Sequence, residues 1–158
     1  DYARELFKIA GNGGDNNLAL TYILKKHGSI DKETKIEDVL YIYNLACCLM
    51  VNTRDLAVLA SIISRNGIGL DGKRVMEEDH ARILRTLMSI CGTYDYSGDF
   101  AINIGIPAKS GVGGGIMAAT NKDIGLCTFC PGLDSSGNSV VGVKMLEMIS
   151  RELKLGYY

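Results

Sequence analysis

The chain has 158 residues, 47% hydrophobic and 22% charged, with 17 Lys and Arg against 18 Asp and Glu. That composition excludes a disordered chain and makes one globular domain the expectation. A net charge of −1 leaves no basic surplus for phosphate neutralisation, so nucleic acid and anionic membrane surfaces are not expected partners. In chain order, Gly11-Asn12-Gly13-Gly14-Asp15 reads as a flexible break, after which Asp15 or Asn16 caps an apolar-periodic helix to about Lys26, closed by Gly28. Thr34-Lys35-Ile36-Glu37 has the capping-box spacing and opens a second helix to about Met50. Asn52 to Asp55 opens a third, Leu56 to Arg65, which Asn66-Gly67 ends. Asp71-Gly72 marks a turn between two short extended pieces, and a fourth helix runs from Glu78 to about Cys91 and stops at Gly92.

Beyond Gly92 small residues dominate. Two apolar runs, Gly115 to Thr120 and Ile124 to Cys130, flank Asn121-Lys122-Asp123, which predicts a hairpin. Ser139 to Leu153 then carries Val140, Val141, Val143, Met145, Leu146, Ile149 and Leu153 at helical spacing, a helix suited to cover one face of that hairpin. The expected class is α+β: residues 1–92 mainly helical, residues 93–158 a small antiparallel sheet with a C-terminal covering helix. Two or three strands with a helix on one face leave open pairing edges and a bare face, so a partner chain or further N-terminal sequence is expected to complete the sheet. The chain opens Asp1-Tyr2-Ala3-Arg4-Glu5 with no Met and no signal-peptide centre, in keeping with a piece of something longer.

Cys47, Cys48, Cys91, Cys127 and Cys130 form an odd count in a chain with enough core to fold unaided, which suits reduced thiols and a cytoplasmic location. Cys127-Thr-Phe-Cys130 is one CxxC without a second pair. Tetrahedral zinc needs four ligands, so buried small hydrophobes are the preferred reading. Ala108-Lys109-Ser110-Gly111-Val112-Gly113-Gly114-Gly115 is the most unusual string. A P-loop needs its Lys after the glycines and a helix following, whereas Lys109 precedes them and a strand follows. The alternative is a Lys-Ser-Gly element on an edge strand beside an acyl-serine site, as in penicillin-binding proteins and β-lactamases, with a tightly packed Gly-rich strand as the bland reading. Tyr41, Tyr43, Tyr94 and Tyr96 could move protons if a lysine lowers a phenol's pKa, though a helical tyrosine is more often a core residue.

These strings together resemble the serine-dependent glutaminases, amidohydrolases of β-lactamase-like fold. The resemblance rests on Ile104-Gly-Ile-Pro-Ala-Lys-Ser-Gly-Val-Gly-Gly-Gly-Ile116, Pro131-Gly-Leu-Asp134, Gly137-Asn-Ser-Val140, Cys91-Gly-Thr-Tyr-Asp-Tyr-Ser-Gly-Asp-Phe100, Thr53-Arg-Asp-Leu-Ala-Val58 and Asp15-Asn-Asn-Leu-Ala19, and spans essentially the whole chain. It implies hydrolysis of L-glutamine to L-glutamate and ammonia through a glutamyl-serine. It further implies that Val112 supplies a backbone N–H to the oxyanion, that Tyr43 lies beside the nucleophile, that Tyr94 moves protons and that Asn17 recognises substrate, with Lys109, Ser110 and Gly111 as the strand motif. No metal or organic cofactor is implied, and a homo-oligomer is expected. Two departures stand out. The family's Ser-x-x-Lys lies N-terminal to all of these strings, so the nucleophile is expected in sequence outside the chain, and Ala10 occupies the position of the family's ammonium-binding glutamate. Another acyl-serine amidohydrolase, or a non-catalytic oligomerisation or partner-binding domain, are the alternatives.

Overall fold

The computed structural model describes residues 14–157, which divide after Met50 into two compact units. The first unit holds helices α1 (Gly14–Lys26) and α2 (Ile36–Cys47). The α1 helix ends where the sequence places its stop: Gly28 takes φ of 78°, and the Gly28 and Ser29 amides donate back to the Lys25 and Leu24 carbonyls at 3.2 and 3.0 Å. Glycine enters that left-handed region without a Cβ penalty. The α2 helix buries Ile36, Leu40 and Asn44, one stripe at four-residue spacing. Three expectations are corrected. Asp15 lies in the first turn of α1, the N-cap of α2 is Lys35 without a side-chain cap, and α2 stops at Cys47. Ala10 and the Gly11 to Gly13 break lie outside the described residues.

The second unit runs α3 (Thr53–Ser64), α4 (Glu78–Cys91), a 3₁₀ turn (Tyr94–Tyr96), α5 (Ser97–Asn103), β1 (Ala108–Ser110), β2 (Gly115–Ala119), β3 (Gly125–Phe129) and α6 (Val140–Leu153). A full capping box opens α3. The Asn52 side chain accepts from the Arg54 and Asp55 amides at 2.9 and 3.0 Å, and the Asp55 carboxylate accepts from the Asn52 amide at 3.2 Å. The Asp71-Gly72 turn forms as read, closed by the Ile68–Arg74 bridge.

The strands form one antiparallel sheet in the order β1-β2-β3, with Ser110 opposite Ile116 and Ala119 opposite Gly125. Alternation sorts its side chains into two sets. Ala108, Ile116 and Ala118 join Phe100, Ile104, Ile106, Leu146 and Leu155 in the larger core, under α5 and α6. Met117 and Ala119 pack with Ile63, Leu84 and Met88 from α3 and α4. The bare face expected from the sequence is therefore corrected, because α3 lies against the side opposite α6. Gly125 permits that approach: a Cβ there would sit 2.0 Å from the Ala57 carbonyl oxygen and 2.1 Å from the Ser61 nitrogen. On the other side, Ser139 caps α6 by accepting from the Gly142 amide at 3.2 Å while donating to the Cys130 carbonyl at 2.7 Å. Among the described residues no helix is long and apolar enough to cross a membrane.

Candidate active site

Helix α4 delivers the chain to Gly92 directly beneath β1. The Ser110 amide donates to the Gly92 carbonyl at 2.9 Å, and a Cβ on Gly92 would fall 1.8 Å from the Ala108 carbonyl oxygen. Two residues later Tyr94 takes φ of 58°, a left-handed conformation that costs about 1–3 kcal/mol for a bulky residue. The 3₁₀ turn that follows is tied by Ser97, whose hydroxyl donates to the Tyr94 carbonyl at 2.8 Å and accepts from the Thr93 amide at 3.1 Å. This geometry sends the Tyr94 ring across β1, where its hydroxyl donates to the Ser110 carbonyl at 3.3 Å.

Lys109 and Ser110 converge on the same place. The Lys109 ammonium lies 4.9 Å from the centroid of the Tyr94 ring, within cation–π range, and donates to the Ser110 carbonyl as well. Two donors thus meet on one oxygen, which has two lone pairs to offer. Partial burial holds the Lys109 amine below the ordinary lysine range, opposed by charge on neighbouring Cys91. Ser110 is buried, and its hydroxyl has no hydrogen-bond partner among the described residues.

After β1 the chain turns through Gly111-Val112-Gly113-Gly114, held by Gly111 and Gly114 amides donating to the Gly115 and Gly111 carbonyls, both at 2.9 Å. The Val112 side chain is exposed, and no acceptor among the described residues engages its amide. The loop before α6 reaches the same spot: a Cβ on Gly137 would lie 3.6 Å from the Tyr94 ring and 3.7 Å from Val112 Cγ1. A phenol, an amine and an open backbone donor on small-residue loops can stabilise an oxyanion and exchange a proton with a leaving group.

The sequence matches the family pattern described as Glutaminase over residues 1–158. The chain belongs to the glutaminase family. It is 45% identical over 146 residues to Glutaminase 2 of Clostridium perfringens, covering 92% of this chain and 47% of that protein. It is 43% identical over 155 residues to a glutaminase of Clostridioides difficile, covering 98% and 50%. The chain spans about half the length of these curated relatives. Crystal structures agree: a Bacillus glutaminase determined at 4.3 M NaCl superposes with a TM-score of 0.89 at 32% identity, covering 98% of this chain and 53% of that one. The covalent complex of a Bacillus subtilis glutaminase with 5-oxo-L-norleucine gives 0.89 at 31% identity, covering 98% and 55%.

Of the residues that the glutaminase resemblance singles out, Tyr94, Lys109, Ser110, Gly111 and Val112 are brought together in the second unit. Asn17 on α1 and Tyr43 on α2 belong to the first. Asn17 is half-buried, with its carbonyl accepting from the Thr21 hydroxyl at 2.8 Å, and Tyr43 is exposed. Sequence reasoning gave no role to Ser97, Asp134 or Asn138, which support the turn carrying Tyr94. The string Gly137-Asn-Ser-Val140 signalled the loop without saying what it touches. Cys127 and Cys130 are free thiols, and among the described residues no group of three or more His, Cys, Asp or Glu side chains is placed to hold a metal ion.

Proposed function

We propose that the chain is part of one glutaminase catalytic domain that hydrolyses L-glutamine to L-glutamate and ammonia through a glutamyl-serine, the nucleophile lying in sequence outside the chain. The observation that carries this reading is the Tyr94 hydroxyl and the uncommitted Val112 amide beside the Lys109-Ser110-Gly111 strand motif. In the proposed reaction a serine hydroxyl attacks the side-chain amide carbon of glutamine, and the oxyanion is met by the Val112 N–H. An amide nitrogen leaves only when protonated, so Tyr94 relays to it the proton that the serine gives up, and ammonia departs. Water then attacks the glutamyl ester, the serine recovers its proton, and glutamate is released. Tyr43 lies beside the nucleophile and Asn17 holds substrate in this scheme. The reaction requires neither metal nor organic cofactor. Assembly as a homo-oligomer in the cytoplasm completes the proposal.

The first test is ammonia release. The one serine followed at three residues by a lysine, in Ser29-Ile30-Asp31-Lys32, is exposed in the turn after α1 and not on a helix, so the purified 158-residue chain is expected to release none from glutamine. A longer protein that supplies a Ser-x-x-Lys segment is expected to release it, and turnover by the 158 residues alone would overturn the placement of the nucleophile. Ala10 favours a second reading, in which another amide lacking a free ammonium is the substrate, because an ammonium leaving water needs an anionic partner.

A further inference from the structure

Tyr94 is the aromatic among the four described non-glycine residues with positive φ; Asn66 and Lys154 close helices and Asp123 sits in the hairpin turn. Such a conformation persists only where the surroundings fix it. Ser97 supplies a local tie three residues away. The other tie comes from 45 residues away: Asn138, with no exposed surface, donates its side-chain amide to the Thr93 carbonyl at 3.1 Å. Thr93 is itself buried, and its carbonyl also accepts from the Tyr96 amide at 3.2 Å, so Asn138 joins the 3₁₀ turn's own bond on that oxygen.

The base of Asn138 is fixed as well. Its amide donates to the Asp134 carboxylate at 2.9 Å, and its carbonyl accepts from the Asp134 amide at 2.8 Å. Gly137, at φ of 91°, lets the loop press on the Tyr94 ring and Val112. The Asn138 carboxamide oxygen is buried with no partner among the described residues. A polar group is thus kept in the core for one bond, to the carbonyl preceding Tyr94, at the cost of an unsatisfied oxygen. That acceptor also fixes which way the amide points.

We propose that Asn138 is a positioning residue which, anchored on Asp134, holds the Thr93–Tyr94 backbone in its left-handed turn and so sets the Tyr94 hydroxyl over β1. The proposal rests on the reading of Tyr94 as the proton-moving residue. A role confined to stability would leave kcat of the folded enzyme alone, whereas misplacing a proton-transfer group lowers kcat and spares substrate binding.

The test uses Asn138→Leu, which keeps the branched shape and deletes the donor, in the full-length protein that supplies the nucleophile. The expected result is a fall in kcat for ammonia release of about 10- to 100-fold, with KM within about threefold of the parent. In protein labelled with ¹³C-tyrosine, the Tyr94 Cα and Cβ shifts are expected to leave their left-handed values. Parental kcat and parental Tyr94 shifts in a folded variant would overturn the proposal, as would a loss confined to KM. If Asn138→Leu does not fold, Ser97→Ala carries the test, since it releases the same turn from its other side with the same expected signs. Should the parent release no ammonia from glutamine, the functional reading fails, and the Tyr94 shifts still decide the positioning claim.

Discussion

Adding one methyl group at each of two glycines in the same sheet should have opposite effects. At Gly125 on β3 the new Cβ would lie 2.0 Å from the Ala57 carbonyl oxygen and 2.1 Å from the Ser61 nitrogen, both main-chain atoms of α3. Unstrained contact needs about 3.5 Å, so the helix must retreat by about 1.5 Å. That retreat opens the contacts of Ala60 and Ile63, both essentially without exposed surface, and pulls the Ser64 hydroxyl away from the Thr120 carbonyl it meets at 2.5 Å. Overpacking costs about 1–3 kcal/mol when side chains can adjust. Main-chain atoms of a helix cannot adjust singly, so Gly125→Ala is expected to cost about 3 kcal/mol or more, a large share of a typical domain stability of about 5–15 kcal/mol. At Gly115 on β2 the nearest neighbour of a new Cβ is Leu56 Cδ1 at 3.7 Å, an ordinary contact. Gly115→Ala is expected to be neutral or to stabilise by about 0.4–1 kcal/mol through loss of unfolded-state entropy. Urea unfolding followed by far-UV circular dichroism, with matched m-values, measures both. If Gly125→Ala unfolds within about 0.5 kcal/mol of the parent, or the two variants lose equally, the close packing of α3 on β3 is wrong.

Val112→Pro in a complete, active protein deletes an amide that no described acceptor engages, so it should cost about 2.7–4 kcal/mol of transition-state stabilisation while Val112→Ala, which keeps the amide, changes kcat/KM little. Near-parental turnover by a folded Val112→Pro would remove this amide from the oxyanion site. Burial pushes the Cys127 thiol up, outweighing its bond with the Ile116 backbone, whereas Cys91 is exposed. Thiol labelling of the native chain near pH 8, read by peptide mass spectrometry, should therefore modify Cys91 well before Cys127, and equal rates would contradict the placement of Cys127 on the covered sheet.

The elements that were legible in the sequence carry their own local signals. Asn52 with Asp55, Gly28 after Lys26, Gly92 after Cys91 and Ser139 before Val140 each solve a helix-end problem with residues adjacent in the chain. The turn at Asn121-Lys122-Asp123 likewise contains what it needs, with Asp123 at positive φ. Thr34 shows the limit of such reading. It has the right spacing to Glu37, yet the helix begins one residue later, and the Thr34 carbonyl accepts from Lys25 at 2.7 Å. Helix α5 had no local signal, because Ser97-Gly-Asp-Phe-Ala-Ile-Asn103 is poor in helix formers and short. It forms because Phe100 and Ile104 are buried in the core under α6, an interaction with residues some forty positions on. The second covered sheet face was hidden for a related reason: nothing beside Gly125 in the chain tells that its missing side chain admits the backbone of α3.

The same distinction explains why the site was only half visible. Lys109, Ser110 and Val112 form one string, and Tyr94 belongs to another, so a resemblance could find them. What joins the strings is main-chain chemistry that leaves no pattern. The carbonyl of Gly92 takes the amide of Ser110, the carbonyl of Thr93 takes the carboxamide of Asn138, and the carbonyl of Ser110 takes the hydroxyl of Tyr94. Each acceptor is a backbone oxygen that any residue would supply, as is the Ser110 amide, and only the Asn138 and Tyr94 side-chain donors are written in the sequence. Gly92 is the exception, since a Cβ at that position would meet the Ala108 carbonyl at 1.8 Å. The end of α4 can pass under β1 because that one side chain is missing, and the turn that carries Tyr94 starts from there. A site assembled in this way tolerates change at its backbone acceptors and not at its side-chain donors, so Ser97, bonded to the Tyr94 carbonyl, and Asn138, bonded to the Thr93 carbonyl, are the positions at which substitution should disturb Tyr94 while leaving its own side chain in place.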